Sequence, residues 1–171
     1  MRSSNLKQLT LAATVAALYA VLTYFGAIFG LTYGPVQFRF AEALCVLPFL
    51  FPAMAPGLFV GCLIANLLSP YGLIDVVCGS AAPRMAAVST ARVPSKWLAP
   101  LPAVLSNGLI IGAMLAWYET GFGPGFGALF AYHGITVAIG ELGACYVLGM
   151  LLLTALPKIK YFQPMLAHAK C

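Results

Sequence analysis

The sequence predicts an all-α membrane protein with six transmembrane helices in a single domain, residues 1–171. Only 8% of the residues are charged and 62% are hydrophobic, whereas about 25% of the residues of a soluble protein are charged. The mean hydropathy is +0.96. Long apolar runs are typical of spanning helices, because lipid offers backbone groups no hydrogen-bond partner outside the helix. This composition argues against a water-soluble enzyme and against a nucleic-acid-binding protein.

The first span is predicted over residues 6–29. Its apolar run is too long for the hydrophobic region of a signal peptide, and further hydrophobic helices follow. Alanines recur in it at the spacing that lets a second helix approach closely. The alternative is that alanine is simply common in membrane helices. The alanines concerned are Ala12, Ala13, Ala16 and Ala17.

Prolines and glycines divide the rest of the chain. Tyr33-Gly34-Pro35 ends the first span in a loop, and the extended piece after it places Gln37 and Arg39 on one side. We expect Pro48 to kink a short second span, and a tilt or break near His133-Gly134 in a long sixth one. The five further spans are predicted over residues 40–51, 57–68, 73–91, 97–118 and 128–156.

The basic residues orient these spans. An even number of spans puts both termini on one side, and seven of the nine basic residues then lie on that side. The excess of lysine and arginine in cytoplasmic loops predicts that both termini are cytoplasmic. The seven are Arg2, Lys7, Arg92, Lys96, Lys158, Lys160 and Lys170.

The same topology puts all four acids in the outer half of the membrane or near its midplane. Ionisable groups inside spans are costly and usually face a cavity, so an outward-facing polar site is predicted. Glu42 contacts a ligand or pairs with Arg39, three residues away. Asp75 contacts a ligand or serves as a helix charge, since the helix dipole favours an acid in the first turn. Glu119 is expected at a solvated loop end. Glu141 needs a partner, because it lies deep in a span.

No catalytic constellation and no ATP-binding motif stands out, so no enzymatic activity and no cofactor are predicted. The five cysteines show no metal-ligand spacing and are interpreted as buried thiols that pack as small apolar groups. Asn66 and Asn107 are candidates for hydrogen bonds between helices. Because the chain has no ATP-binding motif, the energy for any uptake must come from another subunit or from an ion gradient.

Three stretches resemble the QueT family of bacterial membrane proteins. Two short ones are ALYAVLT, residues 17–23, and GELGACYVLGMLLL, residues 140–153. The longest, residues 36–80, is VQFRFAEALCVLPFLFPAMAPGLFVGCLIANLLSPYGLIDVVCGS. The resemblance implies the substrate-binding (S) component of an energy-coupling factor (ECF) importer, in which six helices hold an outward-opening site. It also implies partners, namely a membrane coupling subunit (EcfT) that contacts the first-helix alanines and two ATPase subunits.

The resemblance further implies a 7-deazaguanine base, in its cyano or aminomethyl form, as substrate. Carboxylates suit its guanine-like donors, so Glu42 and Glu141 are assigned to them, with Asp75 as a further candidate. Gln37 and Asn66 would address the carbonyl or ring nitrogens, and Arg39 would position Glu42 or donate to the carbonyl. The remaining candidates, for stacking on the ring, are Phe38 and Tyr33.

One feature departs from the family pattern and two alternatives remain open. Pro83 should kink the fourth span, and Arg84 is expensive in mid-span unless it snorkels or finds a partner on another helix. The alternatives to a queuosine-precursor subunit are an S component for another small heterocycle or vitamin, and a membrane assembly protein without a ligand.

Overall fold

The computed structural model describes residues 2–33 and 36–166. This part of the chain is helical and contains no β-strand. The chain ends in basic residues, and Lys170 and Cys171 lie outside the described residues. The six α-helices of the described part are α1 (Arg2–Ile28), α2 (Ala55–Asn66), α3 (Leu73–Thr90), α4 (Leu101–Thr120), α5 (Phe126–Leu142) and α6 (Met150–Ala155).

Three helical stretches are long and apolar enough to cross a membrane: Leu6–Ile28, Lys96–Thr120 and Phe126–Lys158. The last is one continuous helical stretch that includes α5, α6 and the residues between them. Two shorter apolar helices cover Phe40–Phe49 and Pro52–Asn66. The all-α membrane class is thus confirmed, and the crossing of the membrane by six helices stays a prediction.

The element at the centre of the packing is a 3₁₀ helix, Phe40–Phe49, with every residue from Ala41 onward buried. It contacts α1, α3, α6 and the π-helix Gly143–Gly149 between α5 and α6. A 3₁₀ helix rises about 2.0 Å per residue against 1.5 Å in an α-helix, so ten residues reach about 20 Å. Pro48 lies inside this helix. The predicted short second span is therefore a stretched helix in the protein core.

The interruption of the sixth predicted span lies elsewhere than expected. Residues His133 and Gly134 are in the middle of α5, and the chain departs from α-helical geometry only at the π-helix Gly143–Gly149. Gly134 instead packs against Gly112 of α4, because a Cβ added to Gly112 would lie 2.7 Å from the Gly134 Cα. The expectation of a break at His133-Gly134 was wrong, since that glycine serves helix packing.

Small residues bring α1 and α2 into close contact. A Cβ on Gly57 would collide with the Ala12 carbonyl, and one on Gly61 would lie 2.6 Å from the Ala16 carbonyl oxygen. Ala16 is buried and Ala12 half-buried by this contact, whereas Ala13 and Ala17 are exposed. One face of the alanine stripe of α1 is therefore occupied by α2, and the other face is exposed.

The unusual Pro83-Arg84 pair is accommodated inside α3, which continues through both residues. Pro83 is buried and Arg84 is exposed. The guanidinium carbon of Arg84 lies 5.4 Å from the ring centroid of Phe59 on α2. A cation over an aromatic face is stabilised by the ring quadrupole. Arg84 thus does find a partner on another helix, and that partner is aromatic.

Candidate functional site

Four charged side chains of different elements are buried in one region. Arg39 precedes the central 3₁₀ helix, Glu42 lies in its first turn, Asp75 lies in the first turn of α3, and Glu141 lies near the end of α5. None of the four is more than 2% exposed. Since a buried charge is costly unless it is paired, this region, called here the buried polar site, is where a function is expected.

Two glycines of the helical stretch Phe126–Lys158 let the loop before the 3₁₀ helix pack closely against that stretch, beside the site. A Cβ on Gly140 would collide with the backbone carbonyl of Gln37, and one on Gly143 would lie 3.0 Å from the Phe38 ring. The Phe38 amide donates to the Leu31 carbonyl at 2.9 Å. Gln37 and Arg39 are buried and Phe38 is half-buried, so the alternation expected from the sequence is present.

The acidic partner of Arg39 in this loop is Asp75. A terminal nitrogen of Arg39 lies 3.8 Å from the Asp75 carboxylate. The salt-bridge partner of Arg39 is therefore Asp75, and not Glu42, which the sequence had offered as an alternative. Ser69 donates its hydroxyl to the same carboxylate, and Asn66 donates its amide to the Asp75 backbone carbonyl at 3.2 Å. Burial lowers the pKa of the Arg39 guanidinium, but the Asp75 carboxylate raises it, and the net pKa lies above the ordinary value.

The Glu42 carboxylate is held by neutral donors. One oxygen accepts from the Tyr19 hydroxyl of α1, and the other accepts from the Cys45 thiol at 3.0 Å. Cys145 lies within 3.3 Å of the Glu42 backbone carbonyl and 3.7 Å of the Glu141 carboxylate. Thiols are weak donors. Cys45 and Cys145 thus contact the acidic residues of the site, whereas the sequence had predicted only that they fill apolar space.

Several polar atoms in the region have no hydrogen-bond partner within the described residues. Most buried polar atoms in proteins are paired, and each unpaired one costs about 1–3 kcal/mol. Such a set is the expected lining of a site for a polar ligand. The atoms are Gln37 Nε2, Arg39 Nε and Nη2, Asn66 Oδ1, Asp75 Oδ1, Ser80 Oγ, and Asn107 Nδ2 and Oδ1.

Three tyrosines from different segments form a chain of ring contacts that begins at Arg39 of the ion pair. The Arg39 guanidinium carbon lies 5.4 Å from the Tyr33 ring centroid, Tyr33 contacts Tyr71 edge-to-face at 6.4 Å, and Tyr71 contacts Tyr118 at 5.3 Å. Burial raises the pKa of the Tyr33 hydroxyl. Phe38 packs instead against Phe40, with ring centroids 5.2 Å apart. Tyr33 is therefore the aromatic residue of the loop that adjoins the polar site.

The other acid lies apart from this site. The Glu119 side chain is 49% exposed, and its carboxylate lies 2.9 Å from His133 Nε2, so it is a half-solvated partner of α5. Within the described ranges no group of three or more His, Cys, Asp or Glu residues is arranged to hold a metal ion.

Some residues of the site could not be predicted from the sequence. Tyr19, Ser69 and Ser80 are ordinary residues of apolar helices or turns, and only the packing of α1 and α3 on the 3₁₀ helix shows their role. Asn107 did carry a signal, since an amide inside an apolar span needs a partner. Cys45 and Cys145 could be found only by noting their spacing of three and four residues from Glu42 and Glu141.

Apolar helices around a buried, charged and incompletely paired site are typical of membrane proteins that transport small polar molecules. The comparisons identify the family. The chain belongs to the QueT transporter family, whose pattern it matches over residues 9–158. The protein is therefore classed as a transporter, not an enzyme.

A curated relative agrees with the family. The chain is 35% identical over 79 residues to the "Queuosine precursor transporter QueT" of Lactococcus lactis subsp. cremoris (strain MG1363). The match covers 46% of this chain and 46% of that protein, so less than half of the relative's length is matched. No solved structure matches the chain significantly.

Proposed function

We propose that the protein is the substrate-binding subunit of an ECF-type importer and captures a queuosine precursor outside the cell. The ligand is a 7-deazaguanine base, and a membrane coupling subunit with two ATPase subunits drives its uptake. Membership of the QueT transporter family supports the transport role. The name of the partly matched relative supports the substrate class. The chain itself has no ATP-binding motif, so ATP-driven uptake would require such partners.

The arrangement in the membrane is part of the proposal. Six helical segments cross a bacterial cell membrane, with both termini in the cytoplasm. The positive charges support this orientation, because Lys7, Arg92, Lys96 and Lys158 fall on the side of the termini. The buried polar site then belongs to the outer half, where a substrate from outside the cell arrives.

The single observation that carries the ligand-binding role is the set of unpaired polar atoms around Arg39 and Asp75. A guanine-like edge offers an N1–H and an amino group, which suit the unpaired oxygens of Asp75 and Asn66. Its carbonyl suits the free nitrogens of Arg39 and Gln37. A packing protein without a ligand would leave these groups unpaired at a cost of about 1–3 kcal/mol each, which disfavours that alternative.

The test is ligand binding by the purified full-length protein. Calorimetric titration against 7-deazaguanines, guanine and a panel of vitamins should show binding of a deazaguanine and not of the vitamins. Asp75→Asn should weaken it at least about tenfold, since one charge-assisted hydrogen bond is lost. Glu119→Gln, a change at the half-solvated acid, is the matched control and should bind as the parent protein does.

Cellular uptake provides the second arm, read as the queuosine content of tRNA in cells that depend on an external precursor. The proposal fails if no base binds and if Glu42→Gln and Glu141→Gln leave uptake unchanged. Binding of a vitamin in place of a deazaguanine would instead establish an S component for another heterocycle.

A further inference from the structure

The buried polar site is unevenly charged. Within the described residues it contains three carboxyl groups, of Glu42, Asp75 and Glu141, and one guanidinium, of Arg39. The only salt bridge that Arg39 forms there is with Asp75, at 3.8 Å. The remaining two acidic residues, Glu42 and Glu141, are bridged by Cys145, whose sulfur lies 3.3 Å from the Glu42 backbone carbonyl and 3.7 Å from the Glu141 carboxylate. They have no salt-bridge partner of their own in the described part of the chain.

The groups that do contact this carboxyl pair are neutral. Glu42 accepts from the Tyr19 hydroxyl and the Cys45 thiol, and Glu141 from the Cys145 thiol at 3.7 Å. A second, independent feature points to a ligand here. The Asn107 amide is 2% exposed and directs its nitrogen at the Glu141 carboxyl, while its oxygen has no hydrogen-bond partner within the described residues.

Two buried carboxyl groups that have no salt-bridge partner are unfavourable, because each loses hydration and each repels the charge of the other. A cationic ligand group near both would offset these costs by charge pairing, whereas a neutral group would leave the charge repulsion in place. Its remaining N–H would meet the unpaired Asn107 oxygen. The arrangement therefore favours a ligand that brings its own positive charge.

We propose that Glu42 and Glu141, with Asn107, form a subsite for a primary ammonium group. The inference rests on the proposed function and deepens it: among 7-deazaguanines, the protein selects the aminomethyl form, which is protonated at neutral pH, over the uncharged cyano form. The guanine-like edge faces Arg39 and Asp75, and the substituent faces the carboxyl pair.

The test compares three ligands on the unaltered full-length protein by calorimetric titration at neutral pH: 7-aminomethyl-7-deazaguanine, 7-cyano-7-deazaguanine and unsubstituted 7-deazaguanine. The aminomethyl form should bind at least about tenfold more tightly than either neutral ligand, as expected of one additional charge-assisted contact. Equal binding of all three, or tighter binding of the cyano form, overturns this inference alone. Binding of none of them overturns the proposed function itself.

Glu141→Gln then locates the subsite. It should reduce the preference for the aminomethyl form to less than about threefold while the unsubstituted ring still binds, because the amide keeps the shape and removes the charge. Glu119→Gln, which removes an acid outside the site, should keep the full preference. A Glu141→Gln protein that binds the unsubstituted ring and keeps the full preference shows that the ammonium is held elsewhere.

Discussion

Arg39 and Asp75, with side chains 3% and 0% exposed, face each other across 3.8 Å and join the loop before the central 3₁₀ helix to the first turn of α3. The loop and the helix come from different parts of the chain and meet at the most polar point of the interior. This ion pair thus ties the end of the loop to α3 beside the proposed ligand site.

The first prediction concerns this pair. Asp75→Asn or Arg39→Gln alone should destabilise the protein by about 3 kcal/mol or more, because each leaves an uncompensated buried charge. The double variant should lose less than the sum of the two single losses. Unfolding of the four proteins in the same detergent measures the coupling. Additive losses would show that the two groups do not interact.

The second prediction concerns Tyr19, whose hydroxyl donates to the buried Glu42 carboxylate. Tyr19→Phe keeps the ring and removes the donor, so it should cost about 1.5–3 kcal/mol if the carboxylate is ionised. Tyr24→Phe is the matched control, since the Tyr24 hydroxyl of the same helix donates to the neutral carbonyl of Ile64 at 2.7 Å. Thermal unfolding should show a clearly smaller loss for Tyr24→Phe, and equal losses would contradict a charge-assisted bond.

The third prediction concerns the loop that carries Gln37 and Arg39. Gly140→Ala places a methyl group against the Gln37 carbonyl and should push this loop away from the site. Deazaguanine affinity should fall at least about tenfold, a loss of about 1.4 kcal/mol in binding. Gly127→Ala on the same helix has open space around the added methyl group and should leave the affinity unchanged. Unchanged affinity in the Gly140→Ala protein would show that the loop position does not matter for binding.

The fourth prediction concerns the outer face of α1. Ala13 and Ala17 are exposed, whereas Ala12 and Ala16 contact the glycines of α2. Ala13→Trp or Ala17→Trp should abolish copurification of the coupling subunit and leave ligand binding by the isolated protein intact. Ala16→Trp should instead destabilise the protein, because a buried alanine cannot accommodate an indole. Retained copurification of the Ala13→Trp and Ala17→Trp proteins would place the partner on another surface.

The sequence by itself determined the class of protein and most helix positions. Apolar runs with almost no charge fit only a membrane environment, and prolines and glycines mark where helices end. It also pointed to Arg39, Glu42, Asp75 and Glu141 as special, because an ionisable residue in such a chain is costly wherever it is buried. These conclusions depend on local composition and periodicity, which a single sequence contains.

Only the tertiary structure decided which groups meet. Arg39 could reach Glu42 on its own helix or a carboxylate on another, and the packing of α3 gave it Asp75. Likewise, helical spacing alone did not distinguish the pair Ala12 and Ala16 from the pair Ala13 and Ala17. The packing of α2 against Ala12 and Ala16 made that distinction. The donors to Glu42, Tyr19 and Cys45, depend on the contact between α1 and the 3₁₀ helix. Such pairings arise between distant segments, so no local pattern of residues specifies them.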